Sequence, residues 1–286
     1  MSAACKKILV TGGNSGIGLA LCQQLALDHG CHVFMGSRSL ERGQAAVESI
    51  EAELPQGCSG KIELLQVDVG DDDSVAAAAA KVGAGLGAGE KLFALVNNAG
   101  IGLAASASAE ETVNTNFYGP KRMIDAFLPM VSDRVINVGS GAGPGYVKKC
   151  PAAAQHALCT EPESFEAVVA LFAQSEDNKT GLGSEADGMK GYGPSKAMLS
   201  LYTMLMAKQH PEILFSCCSP GFIDTKLVAG FGATKPPSEG TVAIRQLIFE
   251  ELGGNGWYYG SDGVRSPLHF MRNPGEPAYD GVPPSL

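Results

Sequence analysis

The sequence predicts an α/β protein built on a doubly wound parallel sheet, and three observations carry that expectation. Short apolar runs alternate along the chain with helix-length stretches, the pattern of repeated βαβ units. A glycine-rich turn follows the first apolar run and opens the first helical stretch. At 286 residues, 45% hydrophobic and 18% charged, the chain has material for one sizeable core and too little charge for disorder. One domain over 1–286 is expected.

Taken in order, Lys7 to Thr11 (KILVT) is a β-rich run, and Ile17 to His29 reads as a helix closed by Gly30. HVFMGS supplies a second strand, followed by a helix with Val47, Ile50 and Leu54 on one side, and KIELLQVDV supplies a third. Asp71, Asp72 and Asp73 suit the start of a helix, and the Ala- and Gly-biased stretch after them reads as a helix with a loose end. KLFALVNN, RVINVGS and ILFSCCS give strands four to six, with helical stretches near 106 to 130 and 194 to 209 between them. WYYG, at residues 257–260, reads as a last strand near the far edge of the sheet, its aromatics placed in the core.

One segment breaks the rhythm. Residues 141–191 hold a Gly/Pro-rich start, an amphipathic piece (ESFEAVVALFAQS) and the polar stretch EDNKTGLGSEADGMKG, which together look like a helical insertion. In the amphipathic piece Phe165, Val168, Val169, Leu171 and Phe172 recur at near-helical spacing, a stripe suited to covering a helix face. A dimerisation surface or a lid between glycine-rich flanks would use the same stripe.

Composition excludes several classes. A formal charge of −9 argues against a nucleic-acid surface, which needs clustered Lys and Arg. The longest uncharged run, Leu92 to Ala109, is interrupted by Asn, Ser and Gly, so no membrane span is expected. The eight cysteines show no CxxC pair and no zinc-like spacing, so no metal is expected and the thiols read as reduced. With no secretory signal in MSAACKKILV, the cytoplasm is the expected compartment.

The chemistry begins at TGGNSGIG. Gly12, Asn14, Ser15, Gly16, Ile17 and Gly18 fall between strand and helix, where small residues let the backbone approach a pyrophosphate and a helix N-terminus favours its charge. Further on stand Asn97-Asn98-Ala99-Gly100 and Tyr192-Gly193-Pro194-Ser195-Lys196. In order and rough spacing these three motifs resemble the TGxxxGxG, NNAG and YxxxK signatures of the short-chain dehydrogenase/reductase family, over about residues 5 to 265. The resemblance implies a Rossmann-type fold and further site residues: Asn98, Ala99 and Gly100; Asp68 and Val69 after the third strand; Asn116; Ser140; and Pro220, Gly221 and Thr225 after the sixth. For Asn116 it implies a water held behind Lys196.

Tyr192 and Lys196 lie four apart and share a face if their segment is helical. A phenol of pKa about 10 is a reluctant acid at neutral pH, and a neighbouring cation makes it a usable donor. The expected reaction is reduction of a small-molecule carbonyl, with Tyr192 protonating the oxygen, Ser140 polarising it, and Lys196 also holding the nicotinamide ribose. The same groups serve alcohol oxidation. A dinucleotide sensor would keep the glycine turn and lose the tyrosine and lysine, and an extended-family epimerase or dehydratase would have a longer C-terminal part.

Cofactor choice is read at the end of the second strand, where an acid would bond a ribose 2′-hydroxyl. Ser37 and Arg38 stand there instead, a hydroxyl and a guanidinium suited to the 2′-phosphate of NADP(H). NADP-using relatives often carry Lys or Arg where this chain has Ser15, which softens the preference. Ser140 and Tyr192 lie 52 positions apart, whereas the family's common form places them much closer. Monomeric carbonyl reductases and the salutaridine and menthone reductases carry extra residues here, over the face other members use to form tetramers, so the resemblance implies a monomer. The loops Ile101 to Ala109, Gly141 to Tyr146 and Phe222 to Ala233 would shape the pocket. Their Ala, Gly, Leu and Phe content favours an apolar aldehyde, ketone or quinone.

Overall fold

The computed structural model describes residues 5–102, 107–176 and 191–284, with side chains omitted at 173–176. Seven parallel strands form one sheet in the order β3-β2-β1-β4-β5-β6-β7. They are β1 (Lys7–Val10), β2 (His32–Ser37), β3 (Lys61–Gln66), β4 (Leu92–Asn97), β5 (Val131–Val138), β6 (Leu214–Cys218) and β7 (Trp257–Tyr259). The helices are α1 (Gly16–Leu27), α2 (Leu40–Glu51), α3 (Asp72–Gly85), α4 (Ala109–Val113), α5 (Gly119–Phe127), α6 (Ala142–Val147), α7 (Ala152–Leu158), α8 (Phe165–Glu176), α9 (Tyr192–Gln209) and α10 (Val242–Phe249). The doubly wound expectation holds, and WYYG is the edge strand.

Alternation along β1 sorts the core into two layers. Ile8 and Val10 pack with Leu21, Met35, Val96 and Ile244 under α1, α2 and α10. Leu9 points the other way, into a layer with Leu95, Phe117, Phe127, Tyr202 and Phe215 under α3, α5 and α9. Strand order reverses where β1 lies beside β4, and the crevice beyond their carboxyl ends is the usual ligand position in such sheets.

Several boundaries differ from expectation. Leu54 lies past the end of α2 at Glu51, in a turn closed by backbone bonds. The stretch from 106 to 130 is not one helix. α4, opened by a Ser108–Glu111 capping box, runs into a π-helical turn at Asn114–Tyr118 before α5, which carries Pro120 in its first turn. α9 begins at Tyr192 rather than 194, because Gly191 at φ 75° turns the chain into it and Pro194 is tolerated in a first turn.

The segment between Ser140 and Tyr192 is helical, as expected, in the parts described: α6, α7 and α8. The stripe on α8 lies against the main body. Val168 and Phe172 are buried, while Phe165 stacks on Phe117 at 5.7 Å between centroids and meets Tyr202 edge-on at 5.8 Å. α9 is therefore enclosed by the sheet, α6 and α8, which is why it is buried nearly all round. Most of the polar stretch that follows, residues 177–190, lies outside the described residues.

Candidate active site

A cleft of about 1100 Å³ opens over the carboxyl ends of the strands at the reversal of strand order. Its floor is set by the turn after β1. Thr11 is buried, and its hydroxyl accepts the backbone N–H of both Asn98 and Ala99 at 3.0 Å. Asn98 returns its side-chain amide to the carbonyls of Thr11 and Gly12, at 2.9 and 3.3 Å. The glycines are required by this closeness. Gly12 sits at φ 65°, where a Cβ would lie 2.9 Å from the Ala99 Cα, and a Cβ on Gly18 would lie 2.3 Å from the Gly12 carbonyl oxygen.

The result suits a dinucleotide. Ser15, the residue before α1, makes no side-chain cap, and the first turn carries no acid, so its N–H groups and partial positive charge face the cleft unneutralised. Gly12, Asn14, Ser15, Gly16, Ile17 and Gly18 line this half, with Asp68, Val69, Asn98, Ala99, Gly100 and Arg38. Thr225 closes over Gly16, and Pro220 and Gly221 line the far side. Ser37 departs from expectation: its hydroxyl is buried and donates to the Ser39 carbonyl at 2.9 Å, away from the cleft wall. Arg42, one turn along from Arg38, does line the cleft.

Tyr192, Ser140 and Lys196 meet in the other half. Tyr192 and Ser140 come together at their side chains; Ser140 draws the phenol down, while burial raises it more, leaving it above its ordinary value. Lys196 lies one helical turn on, its Nζ 5.8 Å from the Tyr192 ring centre and donating to the Val138 carbonyl at 2.8 Å. Burial lowers Lys196 to about 8, against a smaller opposing influence of the thiols of Cys217 and Cys218. Those two cysteines are buried, and burial pushes Cys217 up to about 11, so they sit under the site as inert thiols.

Asn116 is reached through the π-helical turn, a feature that often marks functional positions. It is buried behind the cleft wall, its amide donating to the Ile101 carbonyl and the Ser195 hydroxyl and its oxygen accepting the Ile101 N–H. Among the described residues no group of His, Cys, Asp and Glu could hold a metal, and no helix is long and apolar enough to cross a membrane.

Residues 6–160 match the family model for short chain dehydrogenases. The chain belongs to the short-chain dehydrogenase/reductase family. It is 33% identical over 253 residues to the (+)-neomenthol dehydrogenase of Arabidopsis thaliana, covering 77% of this chain and 83% of that protein. It is also 33% identical to human carbonyl reductase [NADPH] 1 over 256 residues, 84% of this chain and 89% of that one. Among solved structures, the menthone neomenthol reductase of Mentha piperita superposes with a TM-score of 0.74 at 26% identity, over 91% of this chain and all (100%) of that one.

Within this short-chain dehydrogenase, sequence reasoning missed four contributors to the cleft. Thr11 was grouped with the strand rather than seen as the acceptor joining two turns. Arg42 had a signal, its place in the first turn of the helix that opens just after Arg38. Tyr258 was assigned to the core, and it is buried there, yet it also lines the cleft. The stretch after β7, including Phe270 and Met271, had no motif to announce it. Replacing Thr11 by Val should leave the Ala99 N–H unpaired in a half-buried turn, with the Asn98 N–H keeping only the Val96 carbonyl, and destabilise the fold by about 1–3 kcal/mol. A thermal melt checks this, and an unchanged melting temperature would show that the hydroxyl is dispensable.

Proposed function

We propose that this chain reduces the carbonyl of an apolar aldehyde, ketone or quinone to an alcohol with NADPH. The observation that carries the reading is the meeting of Ser140, Tyr192 and buried Lys196 in one half of a dinucleotide-shaped cleft. The names of the relatives, carbonyl reductase [NADPH] and neomenthol dehydrogenase, support the same class. NADPH, when bound, supplies the hydride. The tight glycine turn and the free N-terminus of α1 would hold its pyrophosphate, and Arg38, with Arg42 beside it, its 2′-phosphate. Arg42 offers the second cation that Ser15 does not.

The protein groups then act on one oxygen. Ser140 donates a hydrogen bond to the carbonyl and polarises it, and Tyr192 transfers its proton to the same oxygen as negative charge develops. Burial holds Tyr192 above its ordinary value, the opposite of the lowering expected from a neighbouring cation, so the phenol is protonated across the neutral range and its donation relies on Lys196 to stabilise the charge that develops. Lys196, at about 8, is mostly charged at neutral pH and stabilises the phenolate left behind. Asn116 fixes the backbone at Ile101 and the Ser195 hydroxyl beside this site, which supports a role in keeping the proton path ordered.

The packing of α8 over Phe117 and Tyr202 supports a monomer, since it covers a helix face that would otherwise be free for assembly. Residues 141–191 are accordingly read as an insertion into a single domain. Free cysteines throughout fit a reducing compartment, the cytoplasm.

Three outcomes follow. Tyr192→Phe should lower kcat for NADPH-dependent carbonyl reduction by roughly 10²–10⁴-fold, because only the transferable proton is lost; full turnover in this variant would remove Tyr192 from the chemistry. Arg38→Asp should weaken NADPH roughly tenfold or more while affecting NADH far less, read by fluorescence titration with each cofactor. Light scattering of the purified protein should give the mass of a single chain, and cell fractionation should place it in the soluble fraction; a stable tetramer would overturn the reading of α8.

A further inference from the structure

We propose that the hook of chain after β7, residues 260–276, is the specificity wall of the substrate half of the cleft, with Met271 as the contact that selects carbonyl compounds carrying an extended apolar group. The proposal rests on the carbonyl-reductase reading for its reaction, but its geometry stands apart from it. Among the described residues seven large apolar side chains are exposed, and three of them, Phe222, Phe270 and Met271, line this one cleft. Such side chains gathered at a site mark a surface that a ligand covers. Met271 is 50% exposed, yet its terminal methyl lies 2.9 Å from where a Cβ on Gly141 would stand, next in sequence to Ser140. An apolar group attached to a carbonyl held at Ser140 and Tyr192 would reach Met271 first. Leu227, packed on Gly102, and Phe222 line the same cleft. An unbranched thioether side chain can adapt to several shapes, which suits recognition of apolar bulk over a fixed polar pattern.

The hook is held firmly by a buried charge. Arg272, next in sequence to Met271, lines the cleft, but its side chain is only 3% exposed and its donors are spent inside the hook. Its Nε donates to the Ser266 hydroxyl at 2.9 Å, and one terminal nitrogen donates to the carbonyls of Asn273 and Glu276 at 3.1 and 2.7 Å. The other pairs with Asp262, whose second oxygen accepts the Gly275 N–H at 3.1 Å. Backbone bonds from Gly260 to Val264 and from Ser266 to Tyr258 fasten the hook to β7. Arg272 is thus a positioning residue: its bonds fix the backbone on which Met271 stands, and it has little charge to offer a substrate carboxylate.

The test separates the wall from the reaction by using alcohols on the NADPH-loaded protein, a pairing that cannot turn over. Calorimetry should show octan-1-ol binding roughly ten- to a hundredfold more tightly than butan-1-ol, as burial of four more methylenes requires. Met271→Ser should reduce that ratio at least several-fold. Arg272→Lys, which keeps the charge but cannot span the same acceptors, should reduce it in the same sense. An equal affinity for the two alcohols in the unmodified protein, or a ratio unchanged by Met271→Ser, would overturn the proposal. A lower melting temperature for Arg272→Lys with the ratio intact would leave Arg272 a stabilising role alone and overturn the positioning claim. Octanal and butanal assayed in parallel identify a failure of the carbonyl-reductase reading: no turnover of either aldehyde, with the alcohol ratio still dependent on Met271, would sink the reaction and leave the wall standing.

Discussion

The site depends first on one hydroxyl. Thr11 follows β1 in a buried position and accepts two N–H groups from the turn after β4, so the two strands flanking the reversal of strand order finish at a fixed separation. That separation is small enough to exclude a Cβ at Gly12 and Gly18, and it leaves the start of α1 aimed into the opening between the two turns. A nucleotide crevice arises here because the sheet order reverses. It has its particular depth because Thr11 and Asn98 hold the turns together through bonds in both directions.

A second ladder carries that order to the reacting groups. Asn97 and Asn137 stand opposite each other on β4 and β5, and Asn97 donates to Asn137 at 2.9 Å. Asn137 donates in turn to Thr203 on α9, also at 2.9 Å. The first asparagine of the NNAG motif thus connects the sheet to the helix that bears Tyr192 and Lys196, while the second secures the glycine turn. Burial then moves the two side chains apart in acidity, raising the phenol and lowering the ammonium to about 8. With the phenol the weaker acid, the proton rests on Tyr192 in the resting site.

What could be read in the sequence was whatever local physics fixes. The apolar runs became the seven strands, the glycine turn became the cleft floor, and the four-residue spacing of Tyr192 and Lys196 became one face of α9. What could not be read depended on contacts distant in sequence. The break of the 106–130 stretch into a π-helical turn places Asn116 against Ile101 and Ser195, partners no periodicity reveals. Ser37 was expected at the cofactor because of its position at the end of β2, but its hydroxyl is drawn inward by the Ser39 carbonyl. The hook after β7 is short of apolar periodicity and held mainly by Arg272, so nothing in its local pattern marks it as part of a site.

The two segments that least resemble a plain doubly wound sheet also brace each other. His156 on α7 donates from Nδ1 to the Pro284 carbonyl at 2.9 Å, and Cys159, at the end of the same helix, lies 3.7 Å from Nδ1 of His269 in the hook. Further along the tail, Tyr279 packs edge-on against His269 and Phe270. The bank that carries Met271 is therefore supported from behind by residues lying between Ser140 and Tyr192, on an element whose neighbour α8 covers α9. Sheet and glycine turn set the reaction geometry and are largely independent of substrate identity. Selectivity falls to segments that can vary without disturbing Thr11 or Asn137, and coupling α7 to the hook makes those segments one unit. A change around α7 would for that reason reach the substrate wall through His269.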